Sequence, residues 1–246
     1  MLVPSLLRSL LFFLELEGSN LLRNLRLWVC SGEPLSPRLV KQFFEQFPHH
    51  ILSNFYGSTE VMGDVTFHKM TSSTKEDNVP IGIPLSNTAI YLLDDRLQPV
   101  PTGQTGELYV SGLNLSEGYV NGRDRERFIP NPLAVDPDFS RLYRTGDFAR
   151  LHKGVLIYEG RTDAQVKVRG HRVDLAEVER ALIFMPEIEK AVALCYMPGE
   201  LEQALLGFVI LKKEHNSTTA VELESILQSK LASYMLPQVS HVIFIT

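Results

Sequence analysis

Residues 160–179, GRTDAQVKVRGHRVDLAEVE, constrain the fold more than any other stretch of the chain. Arg161, Lys167, Arg169, His171 and Arg172 crowd together in a protein whose formal net charge is -5. After the polar break Gly160-Arg161-Thr162-Asp163, Gln165, Lys167, Arg169 and His171 alternate with Val166, Val168 and Gly170. A two-residue period predicts extended chain with one apolar and one basic face. The pattern then switches. Asp174 stands at an N-cap position, Glu177 follows three residues later as in a capping box, and Leu175, Val178, Ala181 and Leu182 recur at helical spacing before Pro186. KAVALCYM and ALLGFVIL read as strands and AVELESILQSKLA as a helix, which completes a βαββα unit. A domain boundary is therefore expected near Asp163, with a small α+β domain over 163–246.

The preceding part, 1–162, reads as two subdomains. Over 1–84, Leu6, Leu7, Leu10, Leu11 and Leu14 predict a helix at 4–16, and Leu25 to Cys30 a short strand. Ser36-Pro37 opens a second helix reaching Gln46, and His50 to Asn54 is a second strand, broken at Gly57. Strand, turn, helix, strand is the order of part of a doubly wound α/β sheet, whose strand ends collect ligands. Over 85–162 the strands AIYLLD, GELYVSG and Gly154–Tyr158, separated by Pro-Thr-Gly and Gly-Leu-Asn turns, predict a small antiparallel sheet or β-barrel, the barrel being the expected form.

A hydrophobic fraction of 44% supports a packed core, and no run approaches the ~18 apolar residues of a membrane span. MLVPSLLRSLLFFL is interrupted by Arg8 and closed by Glu15 and Glu17 without a small-residue cleavage site, so it predicts a helix rather than a signal peptide. The negative net charge argues against nucleic-acid binding. Cys30 and Cys195 lie in separate apolar runs and read as free thiols of a cytoplasmic protein, and the Asn114 and Asn216 sequons as chance matches.

Two segments carry parts of a nucleotide site. NFYGSTE (54–60) combines a glycine turn, the Thr59 hydroxyl, the Glu60 carboxylate and the Tyr56 ring, suited to a phosphate, Mg²⁺ and adenine; alone it is equally an ordinary strand-end turn. YRTGD (143–147) offers Asp147, whose two oxygens suit adjacent sugar hydroxyls or close a turn. Arg161 could hold a ribose or phosphate oxygen or stand solvated, and Lys167 and Arg169 could pair with Glu177 or Glu179.

SGEPL, NFYGSTE, GELYVSGLNLSEGY, LYRTGDFARL, GRTDAQVKVRGHRVDLAEVE and LASYMLP, in that order from residue 25 to 237, resemble successive core motifs of the adenylate-forming enzymes, in particular amino-acid adenylation domains of nonribosomal peptide synthetases. The resemblance implies attack of a carboxylate on the α-phosphate of Mg-ATP, then transfer of the acyl group to the phosphopantetheine thiol of a carrier domain. It implies that Gly32, Glu33, Asn54, Tyr56, Gly57, Thr59, Asp147 and Arg161 bind ATP or AMP, that Glu60 holds Mg²⁺, and that Thr59, Glu60 and Lys167 act in catalysis. Asp163 would be the hinge of a lid and Gly170 would line the thiol's tunnel.

The substrate pocket implied is Val29, Ser31, Phe55, Gly63 and Asp64. Ser31 with Asp64 is similar to the pattern in β-alanine-selecting domains, and the chain resembles insect β-alanyl amine synthases, which pass β-alanine to an acceptor amine. Acyl-CoA or aryl-CoA ligases share the YGSTE and YRTGD elements, and a non-catalytic nucleotide- or carrier-binding module is a further alternative. The phosphate loop and a late Gly-Lys segment of the family do not fall within these residues, so the chain resembles a truncated enzyme and is expected to lack activity alone.

Overall fold

The computed structural model describes residues 1–17, 22, 24–73, 78–161, 164–168, 170–198, 203–215 and 218–242. Asp163, Arg169 and Asn216 lie outside them. The fold is mixed α/β with several sheets, and the chain divides into two compact units, Met1–Asp163 and Ala164–Thr246. Among the described residues no helix is long and apolar enough to cross a membrane.

The first unit begins with α1 (Pro4–Glu17), β1 (Leu27–Cys30), α2 (Pro37–Gln46), β2 (Ile51–Ser58), β3 (Gly63–Met70) and β4 (Ile83–Pro84). Leu7, Leu11 and Leu14 make the buried stripe of α1, and Leu39, Val40, Phe43 and Phe44 that of α2. The α2 start follows the local chemistry: Ser36 accepts the Leu39 N–H and Pro37 occupies the first turn, where a missing N–H costs nothing. Sheet order is β1-β2-β3-β4, with β1 and β2 parallel and the later pairs antiparallel. Both helices pack in one core with Trp28, Cys30, Leu52 and Met70, so this layer is covered on one face. Trp28 is wedged against Phe43 and Phe47, and its indole N–H donates to His50 Nδ1 at 3.0 Å.

A second sheet follows from β5 (Thr88–Leu93), β6 (Thr105–Gly112), β7 (Phe128–Pro130), β8 (Arg141–His152) and β9 (Val155–Arg161). The expected barrel is an open sheet instead. Its order is β5-β6-β8-β7, with β9 also on β8, because the long β8 takes β6 along one edge and splits the other between β7 and β9. Gly82 bridges the far edge of β9 at Leu156, joining the two sheets rather than closing the second on itself.

The second unit contains β10 (Gln165–Val168), β11 (His171–Asp174), α3 (Leu175–Ile183), β12 (Ile188–Tyr196), β13 (Ala204–Leu211), α4 (Ala220–Gln228) and β14 (Gln238–Val242). The alternating segment is a hairpin, not one strand, and this corrects the expected faces. Val168 pairs with His171 and Val166 with Val173, which puts His171 on the valine face; Lys167 pairs with Arg172 on the other. His171 stacks on the Tyr234 ring, with centroids 4.2 Å apart and an interplanar angle of 10°.

Asp174 caps α3 by accepting the Ala176 N–H, while the reciprocal capping box is found at Thr219 and Glu222 on α4. Thr219→Ala is expected to destabilise the second unit by about 1 kcal/mol, read as an earlier urea midpoint. Val178, Leu182, Leu205, Val209, Leu223 and Leu227 form this unit's core between the sheet and both helices.

Cys30 is buried, and burial pushes its thiol up to about 12; Cys195 is half-buried and accepts from the Gln203 amide. Both are free thiols. The Asn114 side-chain amide donates to Val61 O at 3.1 Å and is thereby engaged within the fold.

Candidate functional site

Asp147 sits in the middle of β8, paired with β9 along one edge and lying, along the other, within the irregularity where the β6 pairing skips between Arg144 and Phe148. The β9 pairing places Arg161 directly opposite, and its guanidinium donates to Asp147 Oδ1 at 2.7 Å and to Thr145 O at 2.9 Å. Across the junction between the sheets, the Tyr56 hydroxyl from β2 donates to Asp147 Oδ2 at 2.5 Å. The Tyr158 hydroxyl approaches Asp147 Oδ1 at 3.4 Å, and the two tyrosine rings lie 6.4 Å apart. Thr145 locks the strand by donating its hydroxyl to Leu108 O and accepting the Asp147 N–H. Burial, then the neighbouring Asp147 charge, holds the Tyr56 phenol far above its ordinary range, so it is a fixed proton donor at neutral pH.

Beyond Tyr56, β2 reaches Ser58, and residues Thr59–Val61 form a single 3₁₀ turn before Met62, whose φ of 57° returns the chain into β3. This turn exposes Thr59 and buries Glu60, which is 6% exposed. Glu60 Oε1 accepts the Tyr119 hydroxyl at 2.5 Å, and the Glu60 carbonyl accepts the Ser116 N–H at 2.9 Å, so the loop after β6 braces the turn. Burial and the bond to Glu60 raise the Tyr119 phenol as well. Among the described residues no group of three or more His, Cys, Asp or Glu side chains could hold a metal ion. A lone buried carboxylate suits a dication that arrives with most of its oxygen ligands supplied by phosphate and water.

Phe55, Gly63 and Asp64 lie on this hairpin, and Ser31 meets Asp64 directly. Ser31, just after β1, donates its hydroxyl to Asp64 Oδ1 at 2.6 Å, with Gly63 opening β3 beside it. Phe55 packs against Phe67 at 5.8 Å, and Val29 pairs with Ser53 on the neighbouring strand.

Other expected site residues have structural partners. Asn54 is buried and donates its amide to Pro80 O at 2.9 Å. Glu33 accepts from the Ser5 N–H at 2.8 Å and the Ser5 hydroxyl at 3.0 Å, placing a negative charge at the first turn of α1. Gly32 adopts a φ of 86°, and Gly57 is where β2 and β3 come closest. Lys167 and Gly170 belong to the second unit, Lys167 opposite Arg172 and Gly170 in the turn between β10 and β11 with a φ of 81°. The Lys167 carbonyl accepts from Gln203 at 2.6 Å. Glu179 accepts the Ala193 N–H at 3.0 Å. Sequence reasoning missed Tyr119, Thr145 and Tyr158. The first two lie inside the quoted GELYVSGLNLSEGY and LYRTGDFARL segments, but nothing in their spacing announces a bond to Glu60 or to the Asp147 backbone.

Residues 1–120 match the family model described as AMP-binding enzyme. The Beta-alanyl-bioamine nonribosomal peptide synthetase ebony of Drosophila melanogaster is 56% identical over 247 residues, covering 97% of this chain and 28% of that protein. The crystal structure of IdnL1 superposes with a TM-score of 0.85 at 29% identity, over 98% of this chain and 49% of that one. The Vibrio cholerae adenylation domain AlmE, solved with glycyl-adenosine-5'-phosphate, gives a TM-score of 0.80 at 25% identity, over 99% of this chain and 46% of that one. The chain thus spans between a quarter and a half of the length of these relatives.

Proposed function

Since the chain belongs to the AMP-binding enzyme family, we propose that it is the nucleotide- and amino-acid-recognising part of an ATP-dependent ligase that activates β-alanine as an adenylate for transfer to a carrier's phosphopantetheine thiol. The observation that supports this most is the convergence of Tyr56 and Arg161 on the Asp147 carboxylate, from separate sheets. A buried carboxylate with fixed neighbours suits the vicinal hydroxyls of a ribose, and Tyr56 and Tyr158 supply aromatic surface beside it. A ribose reaching Asp147 exchanges with the Tyr56 hydroxyl, which frees that ring to pack on the base. Glu60 would hold Mg²⁺, which neutralises phosphate charge when bound, and Thr59 stands exposed one residue away.

Attack by the substrate carboxylate on the α-phosphorus, with the bond to the β-phosphate breaking and pyrophosphate leaving, needs positioning and charge stabilisation only. In this reading Lys167 neutralises phosphate charge, Asp163 is the hinge and Gly170 lines the path of the thiol.

Asp64 supports the choice of acid. Held by the Ser31 hydroxyl on the pocket hairpin, its carboxylate suits an ammonium group one carbon further from the reacting carboxylate than an α-amino group stands. The Drosophila melanogaster relative, a β-alanyl-bioamine synthetase, is 56% identical to this chain, which supports the same choice.

The test is direct binding of a non-hydrolysable β-alanyl-adenylate mimic, with a sulfamoyl group in place of the phosphate, compared with the glycyl and L-alanyl mimics. The β-alanyl compound is expected to bind tightest. Asp64→Ala should remove that preference, costing roughly tenfold or more for the β-alanyl mimic, since an ammonium then loses a charge-assisted partner. Equal affinity for all three mimics would overturn the choice of β-alanine. Failure of all three, and of AMP, to bind would overturn the nucleotide site itself.

A further inference from the structure

Beside the Glu60–Tyr119 bond, the loop after β6, the start of β7 and Arg141 of β8 border an open cavity of about 410 Å³. Arg123, Arg125 and Arg141 line it, with Tyr119 and Phe128 as aromatic walls and Glu117 as the one acidic lining residue. A concentration of three guanidinium groups is unusual on a chain of net charge -5 and calls for a ligand of opposite sign.

The guanidinium groups are held in different ways. Arg141 lies over the Phe128 ring at 5.4 Å and donates to the Glu117 carbonyl at 3.2 Å. Its ion pair with the Glu117 carboxylate is long, at 3.9 Å, and that carboxylate is fully solvated, so it neutralises Arg141 little. Arg125 folds back across Gly122, where a Cβ would fall 2.6 Å from its Nη2, so the absence of a side chain at 122 makes room for it. Arg123 and Arg125 are both exposed to solvent at the mouth. Planar forked donors converging on one polar hollow are suited to phosphate oxygens.

We propose that this cavity is a second anion site, distinct from the Asp147 cluster, that takes a diphosphate oxyanion, and that its ligand is the pyrophosphate released by the reaction. The identification with the product rests on the nucleotide reading above. It is drawn from Tyr119, whose ring lines the cavity and whose hydroxyl is bonded to the carboxylate assigned to the metal-bound phosphates. The leaving group therefore has a cationic station one side chain away from where it is formed. Holding it there lowers its return to the adenylate.

Calorimetric titration of sodium pyrophosphate into the 246-residue chain at low salt, and into Arg123→Gln/Arg125→Gln, tests the site. One pyrophosphate per chain is expected, with affinity at least tenfold weaker in the double variant and falling as salt is raised. Because both side chains are exposed, the circular dichroism and melting of the variant should match the parent's, which separates a lost site from a lost fold. Equal pyrophosphate affinity in parent and variant, or no binding at millimolar concentration, would overturn the proposal. Inorganic phosphate and phosphopantetheine serve as further arms. Tighter binding of either than of pyrophosphate would overturn the assignment to the product. Asp147→Asn distinguishes the two readings: it should lose AMP and keep pyrophosphate. A parent chain that binds pyrophosphate but no AMP would sink the nucleotide reading and leave this site standing.

Discussion

Gly57→Ala should unfold the first unit at a temperature roughly 10 °C below the parent's, through a loss of about 3 kcal/mol or more. A Cβ at residue 57 would overlap the Gly63 carbonyl oxygen and fall 2.5 Å from Asp64 Cα and 2.7 Å from the Gly63 carbonyl carbon. All three neighbours are backbone, so no rotamer change relieves the clash and β2 and β3 must separate. The register shift between Tyr56 and Gly57 shows that the ladder is already irregular there. Separation would displace Tyr56 on one side and Asp64 on the other, so the nucleotide and pocket residues should fail together. Trp28 is the chain's one tryptophan and lies in the first unit's core, so its fluorescence reports that unit alone. An unchanged melting midpoint would show that the hairpin strands are not in this close contact.

Asp147→Ala should abolish AMP binding, with a loss of roughly 100-fold or more, and also destabilise the first unit by about 3 kcal/mol. Asp147 and Arg161 are 10% and 17% exposed at their side chains, so removing the carboxylate leaves a guanidinium largely out of water without its charge partner. The Tyr56 hydroxyl loses its acceptor at the same time. Asp147→Asn keeps the shape and one carbonyl oxygen, so it should fold better than the alanine variant yet still bind AMP poorly. Titration of AMP into the folded asparagine variant separates the two effects. Parent-like affinity there would place the nucleotide elsewhere.

How much of this was legible in the sequence depended on the range of the interaction. Helices α1 and α2 follow from local apolar spacing and the Ser36-Pro37 signal, and β5, β6 and β9 from alternation between turn residues. The β2–β3 hairpin was not legible. Its connection is a 3₁₀ turn closed by Met62 in the left-handed region, and neither a glycine nor an asparagine marks that position. The alternation over 165–171 misled for a related reason. Val168 pairs with His171 across the fold-back, so His171 changes face although the period of two in the sequence is unbroken.

The motif residues Tyr56, Glu60, Asp147 and Arg161 could be singled out from the chain alone. Their partners could not, because Tyr119 meets Glu60 across 59 positions and Tyr56 meets Asp147 across 91. Asn54 and Glu33 show the converse: each sits in a motif, yet its polar atoms engage Pro80 and Ser5. A polar residue's type limits what it can bond, and only the packing selects the partner.

The unusual reach of β8, twelve residues with strands on both edges, has a dynamic consequence. Peeling β9 away leaves the β6 pairs that flank Asp147, at Arg144 and Phe148, intact, and fraying of β6 leaves β9 in place. The carboxylate therefore rides on a segment anchored from both edges, so that loss of either neighbouring strand alone does not release it. Rigidity is concentrated at the residue from which every other group in the cluster takes its position.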